Sequence, residues 1–240
     1  MILYFTIMPD DIQKSSLFIV SLPRSLSSMT YYIARVVLGL NAPSWTSDGE
    51  ILNIDRYALY PGPSHDTSIK FLLKEKNAAL FQVAIDFLDQ ATVPAGFAYK
   101  DVIQPFVVSE WLRSSQFRVL RIKRNLTDVA FSMLNQEWHY PRFASRSEGD
   151  LAEMVIEGII SADMALDSVP SEQVDYDDLM VDESVLRNAL VKLYPNNTLQ
   201  EFKYTDSFRT TGNTILQRRL SDQYKMLNEK VEKLADSIRQ

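Results

Sequence analysis

At 240 residues, with 46% hydrophobic and 23% charged side chains, the chain suits a single domain with a substantial core and has ordinary soluble-protein composition. A net charge of −6 argues against a general nucleic-acid binder, which needs clustered Lys and Arg. No cysteine and only two histidines exclude a disulfide, a thiolate zinc site and a His-rich metal centre, so no metal is expected.

Residues 1–8 (MILYFTIM) are apolar but short, lack a basic flank and run into Pro9, Asp10 and Asp11, a poor signal peptide. No apolar run reaches the length of a membrane span, and a cytoplasmic location is expected. Residues 16–22 read as a buried strand and 28–40 as a helix. Residues 42–66, with Pro43, Pro61, Gly62 and Pro63, read as a long loop, a length uncommon unless functional. Then follow a helix over 69–89, a strand over 97–100, a helix over 103–114 and a strand over 117–123. Helices over 128–136 and 150–167, a strand at roughly 173–176 and a helix over 183–193 complete the alternation. Strands alternating with helices predict an α/β fold, a mostly parallel sheet between two helical layers, with ligands at the strand carboxyl ends.

The segment 213–240 predicts an amphipathic C-terminal helix. Leu220, Tyr224, Leu227, Val231, Leu234 and Ile238 recur at steps of four and three, with Lys, Glu and Asp between them. Such a stripe fits a helix lying on its own domain or a short coiled-coil contact that forms a homodimer. Fewer than three heptads leave both readings open.

Two segments carry chemistry. Residues 17–30 (LFIVSLPRSLSSMT) read as strand, tight turn and helix, with one cation, Arg24, and the hydroxyls of Ser25, Ser27 and Ser28 in the turn. A strand feeding a helix N-terminus aims free backbone N–H groups and the positive helix end at one point, a geometry that binds phosphate or sulfate. A Ser-capped junction with a surface Arg explains that segment equally well when it is taken alone. Residues 117–134 (FRVLRIKRNLTDVAFSML) repeat the pattern. Arg124 ends the strand, Asn125, Thr127 and Asp128 offer N-cap chemistry, and Ser132 lies one turn beyond Asp128 on the same face. For Arg124 the plain alternative is an ion pair with Asp128. Two anion-binding turns on one parallel sheet fit a nucleotide with phosphates at two places.

These residues resemble the PAPS-dependent sulfotransferases, whose donor is 3′-phosphoadenosine 5′-phosphosulfate (PAPS). Residues 23–28 (PRSLSS) are similar to the family's 5′-phosphosulfate loop, P-[KR]-S-G-T-T, with Leu26 at the glycine and Ser27 and Ser28 at the threonines. Residues 124–132 (RNLTDVAFS) are similar to its 3′-phosphate segment, R-N-P-x-D-x-x-x-S, and 174–179 (VDYDDL) to a later Y-E-D-L segment. The resemblance spans about residues 15–215 and implies a P-loop NTPase-like sulfotransferase fold. It also implies release of the desulfated product, PAP, and a small-molecule, lipid or glycan acceptor bearing a hydroxyl or amine.

The resemblance further implies site roles. Arg24 would stabilise the leaving phosphate oxygen; Ser25, Leu26, Ser27 and Ser28 would form the loop around the 5′-phosphosulfate. Arg124 and Ser132 would hold the 3′-phosphate, Tyr176 would lie against the adenine or in the core, and Arg209 in 207–212 (SFRTTG) would close the site. For the general base, Glu50 in 47–50 (SDGE) comes first, followed by His65 in 61–66 (PGPSHD) and Asp101, preceded by Lys100. Lys100 would bind the sulfonate or pair with Asp101. Trp45, Tyr57, Tyr60, Trp111 and the run Trp138, His139, Tyr140 are aromatics near presumed site loops, and they name no acceptor. No G-x-x-x-x-G-K-[ST] occurs, so a small-molecule kinase has no Walker lysine to use. A non-catalytic nucleotide-binding protein that keeps the fold is the reading that Leu26, in place of glycine, favours.

Overall fold

The computed structural model describes residues 14–44, 46, 48–52, 72–136, 151–204 and 218–239. Four parallel strands form the sheet: β1 (Leu17–Ser21), β2 (Ala98–Asp101), β3 (Arg118–Lys123) and β4 (Glu172–Asp175), in the order β2-β1-β3-β4. Leu17 lies opposite Ala98 and Arg118, and Ile122 lies opposite Val174. All four carboxyl ends therefore meet one edge. Among the described residues the helices are α1 (Ser27–Leu38), α2 (Ala78–Ala91), α3 (Pro105–Leu112), α4 (Leu126–Asn135), α5 (Leu151–Asp167), α6 (Tyr176–Val181), α7 (Glu183–Leu193) and α8 (Asp222–Arg239).

Strand alternation sorts the core into two halves. Phe18, Val20, Tyr99 and Val119 face one side, where α2, α3, α4, α5 and α8 pack. Leu17, Ile19, Ala98, Leu120, Ile122 and Val174 face the other, under α1, α6 and α7. Every residue of β1 is buried, as a strand covered on both faces requires. The largest fully buried side chain in the first half is a charged one. Arg121, 1% exposed, donates to Asp163 at 2.7 Å and to Asp167 at 2.5 Å and ties β3 to α5.

The helix expected over 69–89 begins only at Ala78. The Asn77 side chain accepts from the Leu80 N–H and caps it, while the N–H groups of Lys76 and Asn77 close a turn onto the Leu73 carbonyl. The helix expected over 128–136 begins at Leu126, because Asn125 accepts from the N–H groups of Thr127 and Asp128. The short α6 escaped prediction; it starts where Asp175, ending β4, accepts from the Asp177 N–H.

The C-terminal stripe lies on the chain's own domain. Tyr224 and Val231 are buried, and Leu227, Leu234 and Ile238 pack against the first half-core. Thr127 donates to Asn228 at 2.7 Å, joining α4 to α8. Leu220, first of the stripe, precedes the helix and is 74% exposed. Of the two readings of the stripe, a helix lying on its own domain is the one the packing matches. Among the described residues no helix is long and apolar enough to cross a membrane.

Candidate functional site

β1 ends at Ser21, and its turn enters α1 through an unusual path. Arg24 (φ 65°) and Leu26 (φ 60°) both lie in the left-handed region, which costs a non-glycine residue about 1–2 kcal/mol. Leu26 is the N-cap residue of α1 and provides no side-chain cap. The first-turn N–H groups of Ser27, Ser28 and Met29 therefore have neither an intrahelical partner nor a capping side chain. Ser25 and Ser27 are buried, Ser28 and Arg24 exposed, and the Ser25 hydroxyl donates to the Pro23 carbonyl at 3.4 Å. Leu26 packs partly against the second half-core, which offsets some of the backbone cost.

β3 enters α4 directly, and the two junctions are clasped together. Arg24 Nε donates to Ser132 Oγ at 3.2 Å, and the Arg124 guanidinium donates to the Arg24 carbonyl. Arg124 lies over the Tyr176 ring, 4.2 Å from its centroid. Burial pushes the pKa of Arg124 down and that of Tyr176 up. Arg124 Nε is buried without a hydrogen-bond partner. The alternative reading of Arg124, an ion pair with Asp128, is not what forms: Asp128 pairs with Arg219. Arg219 also reaches Asp177 at 2.8 Å, and its bonds to Asp128 and Asp177 hold its pKa above the usual arginine value.

β2 ends in a closed group of charges. Glu50, Lys100 and Asp101 are each 2% exposed. Lys100 pairs with Glu50, and Asp48 lies 3.8 Å from the same ammonium. The other Glu50 oxygen accepts from the Val102 N–H at 2.9 Å. Asp101 accepts from the N–H groups of Leu52, Ile103 and Gln104 at 2.8–3.2 Å. Burial raises the pKa of Glu50, against the pull of Lys100; burial and then the neighbouring Glu50 charge raise that of Asp101 well above the ordinary value. Gly49 (φ 78°) brings this loop onto α1, where a Cβ would run into the Tyr31 ring. The Tyr31 hydroxyl, buried beneath it, is pushed up to about 12 by desolvation.

Arg24, Ser25, Leu26, Ser27 and Ser28 thus lie on one junction, with Arg124, Ser132 and Tyr176 brought to it. Glu50 and Asp101 gather at the neighbouring strand end. Tyr176 is 3% exposed, a core residue whose ring carries Arg124. Trp111 is likewise core, packed against Phe18 and Phe117. His65, Arg209, Trp45, Tyr57, Tyr60, Trp138, His139 and Tyr140 lie outside the described residues. Sequence reasoning missed Arg219, and no local pattern marks it, since its partner Asp128 is 91 positions away. Among the described residues no cluster of His, Cys, Asp and Glu could hold a metal ion.

No family model matches the chain, and no curated protein matches it. Solved structures do. A sulfotransferase from Alicyclobacillus acidocaldarius superposes with a TM-score of 0.45 at 11% identity, over 89% of this chain and 100% of its own. The sulfotransferase domain from the curacin biosynthetic pathway gives 0.44 at 12%, over 91% and 98%. The sulfotransferase domain from the Synechococcus PCC 7002 olefin synthase gives 0.46 at 17%, over 97% of each chain. Each of the three is a sulfotransferase or a sulfotransferase domain.

Proposed function

We propose that the chain is a sulfotransferase that takes its sulfuryl group from PAPS and passes it to a hydroxyl or amine of a small molecule, lipid or glycan. The observation that carries this reading is the clasp. Two strand–turn–helix junctions with the R-S-x-S-S and R-N-x-x-D-x-x-x-S patterns are tied by Arg24 to Ser132 and by Arg124 to the Arg24 carbonyl. That juxtaposition suits a ligand with two phosphate-bearing ends. The buried, partnerless Arg124 Nε and the uncapped first turn of α1 are donors that such a ligand would satisfy.

PAPS supplies an activated sulfuryl group on its 5′-phosphate. The acceptor oxygen or nitrogen forms its bond to sulfur as the sulfur–oxygen bond to the phosphate breaks. The electron pair leaves on the phosphate oxygen of PAP, and the acceptor proton passes to a base. On this chain the α1 amide N–H groups with Ser25, Ser27 and Ser28 would neutralise charge on the sulfonate and 5′-phosphate. Arg124 and Ser132 would hold the 3′-phosphate. No metal is part of this proposal.

A second reading has a specific observation behind it. Glu50 and Asp101 are each 2% exposed, with both Glu50 oxygens accepting hydrogen bonds and Asp101 accepting three from backbone N–H groups. A general base needs an oxygen lone pair facing the acceptor. A non-catalytic protein that binds the nucleotide would need none. Incubation with PAPS and a broad panel of hydroxyl and amine acceptors separates the two. Acceptor-dependent PAP release, matched by sulfated product, is the expected result. Tight PAP binding without turnover on any acceptor would favour the binding protein.

A further inference from the structure

Arg219 is remote from both junctions in sequence and lies at the second one in space. We infer that Arg219 is a positioning residue of the nucleotide site, holding two carboxylates away from Arg124 so that the first turn of α4 can accept an anion; this rests on the sulfotransferase reading above. The Asp128 side chain is 1% exposed and stands in that first turn, where a carboxylate matches the positive helix end and repels a second anion. Asp177 stands in the first turn of α6, and the charges of both carboxylates act on Arg124. Arg219 engages the two at once. Its Nε donates to the Asp128 oxygens at 3.2 and 3.3 Å, and Nη2 donates to Asp128 and, at 2.9 Å, to Asp177. One guanidinium fork thus serves a carboxylate on each of two helices.

The C-terminal helix sets the place of Arg219. The Ser221 hydroxyl accepts from the Tyr224 N–H at 3.3 Å, which satisfies an end amide of α8 and fixes the turn that carries Arg219. α8 then meets the same turn of α4 twice more. Thr127 donates to Asn228 at 2.7 Å, and the Tyr224 hydroxyl donates to Asn125 at 3.4 Å. Asn125, Thr127 and Asp128 are therefore each held from the C-terminal segment. Without Arg219, Asp128 is a buried carboxylate deprived of its cation, beside a guanidinium whose Nε has no acceptor. An Arg124–Asp128 pair then competes with a pair between Arg124 and a phosphate. With Arg219 in place, a phosphate meets Arg124 beside a neutralised carboxylate. Arg219 acts through Asp128 and need not touch the ligand.

Affinities of PAP and AMP for wild type, Arg219→Met, Arg219→Lys, Asn228→Ala and the Arg219→Met/Asp128→Asn double variant test this. AMP lacks only the 3′-phosphate. Arg219→Met should weaken PAP about 10–100-fold, the span of one uncompensated charge at close range, and AMP less than about 3-fold. Arg219→Lys, which keeps the charge but cannot fork between two carboxylates, should fall between. Adding Asp128→Asn to Arg219→Met removes the competing charge and should bring PAP back to within about 3-fold of wild type. Asn228→Ala, which loosens α8 from Thr127 without removing a charge, should leave the ratio of the two affinities unchanged. Equal losses of PAP and AMP in Arg219→Met, no recovery in the double variant, or a ratio shifted as far by Asn228→Ala would overturn the inference while leaving the sulfotransferase reading standing. A wild-type protein that binds PAP no better than AMP would overturn both. Urea melts establish that each variant is folded at the assay temperature; should Arg219→Met unfold, Arg219→Lys and the double variant carry the same comparison.

Discussion

The two strand–turn–helix junctions are alike in topology and opposite in how they satisfy themselves. At β3–α4, Asn125 caps the helix through two N–H groups, and Asp128 in the first turn is ion-paired with Arg219. At β1–α1, the N-cap position holds Leu26 in a left-handed conformation, no side chain caps the helix, and Arg24 is left-handed as well. The helix start at β3–α4 is capped by its own side chain, whereas the one at β1–α1 holds strain and uncapped amide donors in reserve. An anion at the first junction would supply what Asn125 supplies at the second.

The strand end beside the first junction, that of the edge strand β2, is the most fully satisfied of the three, and the largest effect is expected there. Lys100→Met should lose about 3–5 kcal/mol at pH 8, because it leaves Glu50 buried without its cation. The loss should shrink toward pH 5. Burial already raises the folded pKa of Glu50 above its unfolded value, so proton uptake favours the folded state at low pH, and that stability is lost as pH rises through the folded pKa. Urea melts across pH 5–8 give the slope; a pH-independent loss would show that Glu50 is not held by this pair.

The next effect falls on the second junction. Arg124→Met should weaken PAP by about 10–100-fold and AMP by much less, as titration calorimetry can establish. Equal losses would mean that Arg124 serves the fold through Tyr176 alone. Asn125→Ala should cost about 1 kcal/mol of stability in urea melts, the ordinary price of a lost cap, with the ratio of PAP to AMP affinity unchanged. A change in that ratio would mean that the cap and the anion site are one device. The smallest effect belongs to Leu26→Gly. Relief of left-handed strain and loss of Leu26 packing nearly cancel, leaving stability within about 1 kcal/mol of wild type. A loss above roughly 2 kcal/mol would mean that Leu26 is first of all a core residue.

Much of this was legible in the sequence because strand alternation and the two turn patterns are local. β1, β2, β3 and β4 fall within a residue or so of their expected places, and α7 occupies its expected span. What was illegible is long-range. Arg219 meets Asp128 across 91 positions and Glu50 meets Lys100 across 50, and nothing in either neighbourhood announces its partner. Of the two roles open to Lys100, the pairing with Asp101 is disfavoured by strand geometry alone, since neighbours at the end of a strand point to opposite faces. Lys100 turns to Glu50 on the α1 side, while Asp101 turns to the start of α3.

Thermal melting with PAP, AMP and ATP/Mg²⁺ at matched concentrations tests the proposed two-phosphate site most directly. Near-saturating PAP, at about 100 times its Kd, should add roughly 2.7 kcal/mol and raise the midpoint by roughly 5–10 °C, with AMP and ATP/Mg²⁺ well behind. A midpoint indifferent to millimolar PAP, or raised more by ATP/Mg²⁺, would contradict the account.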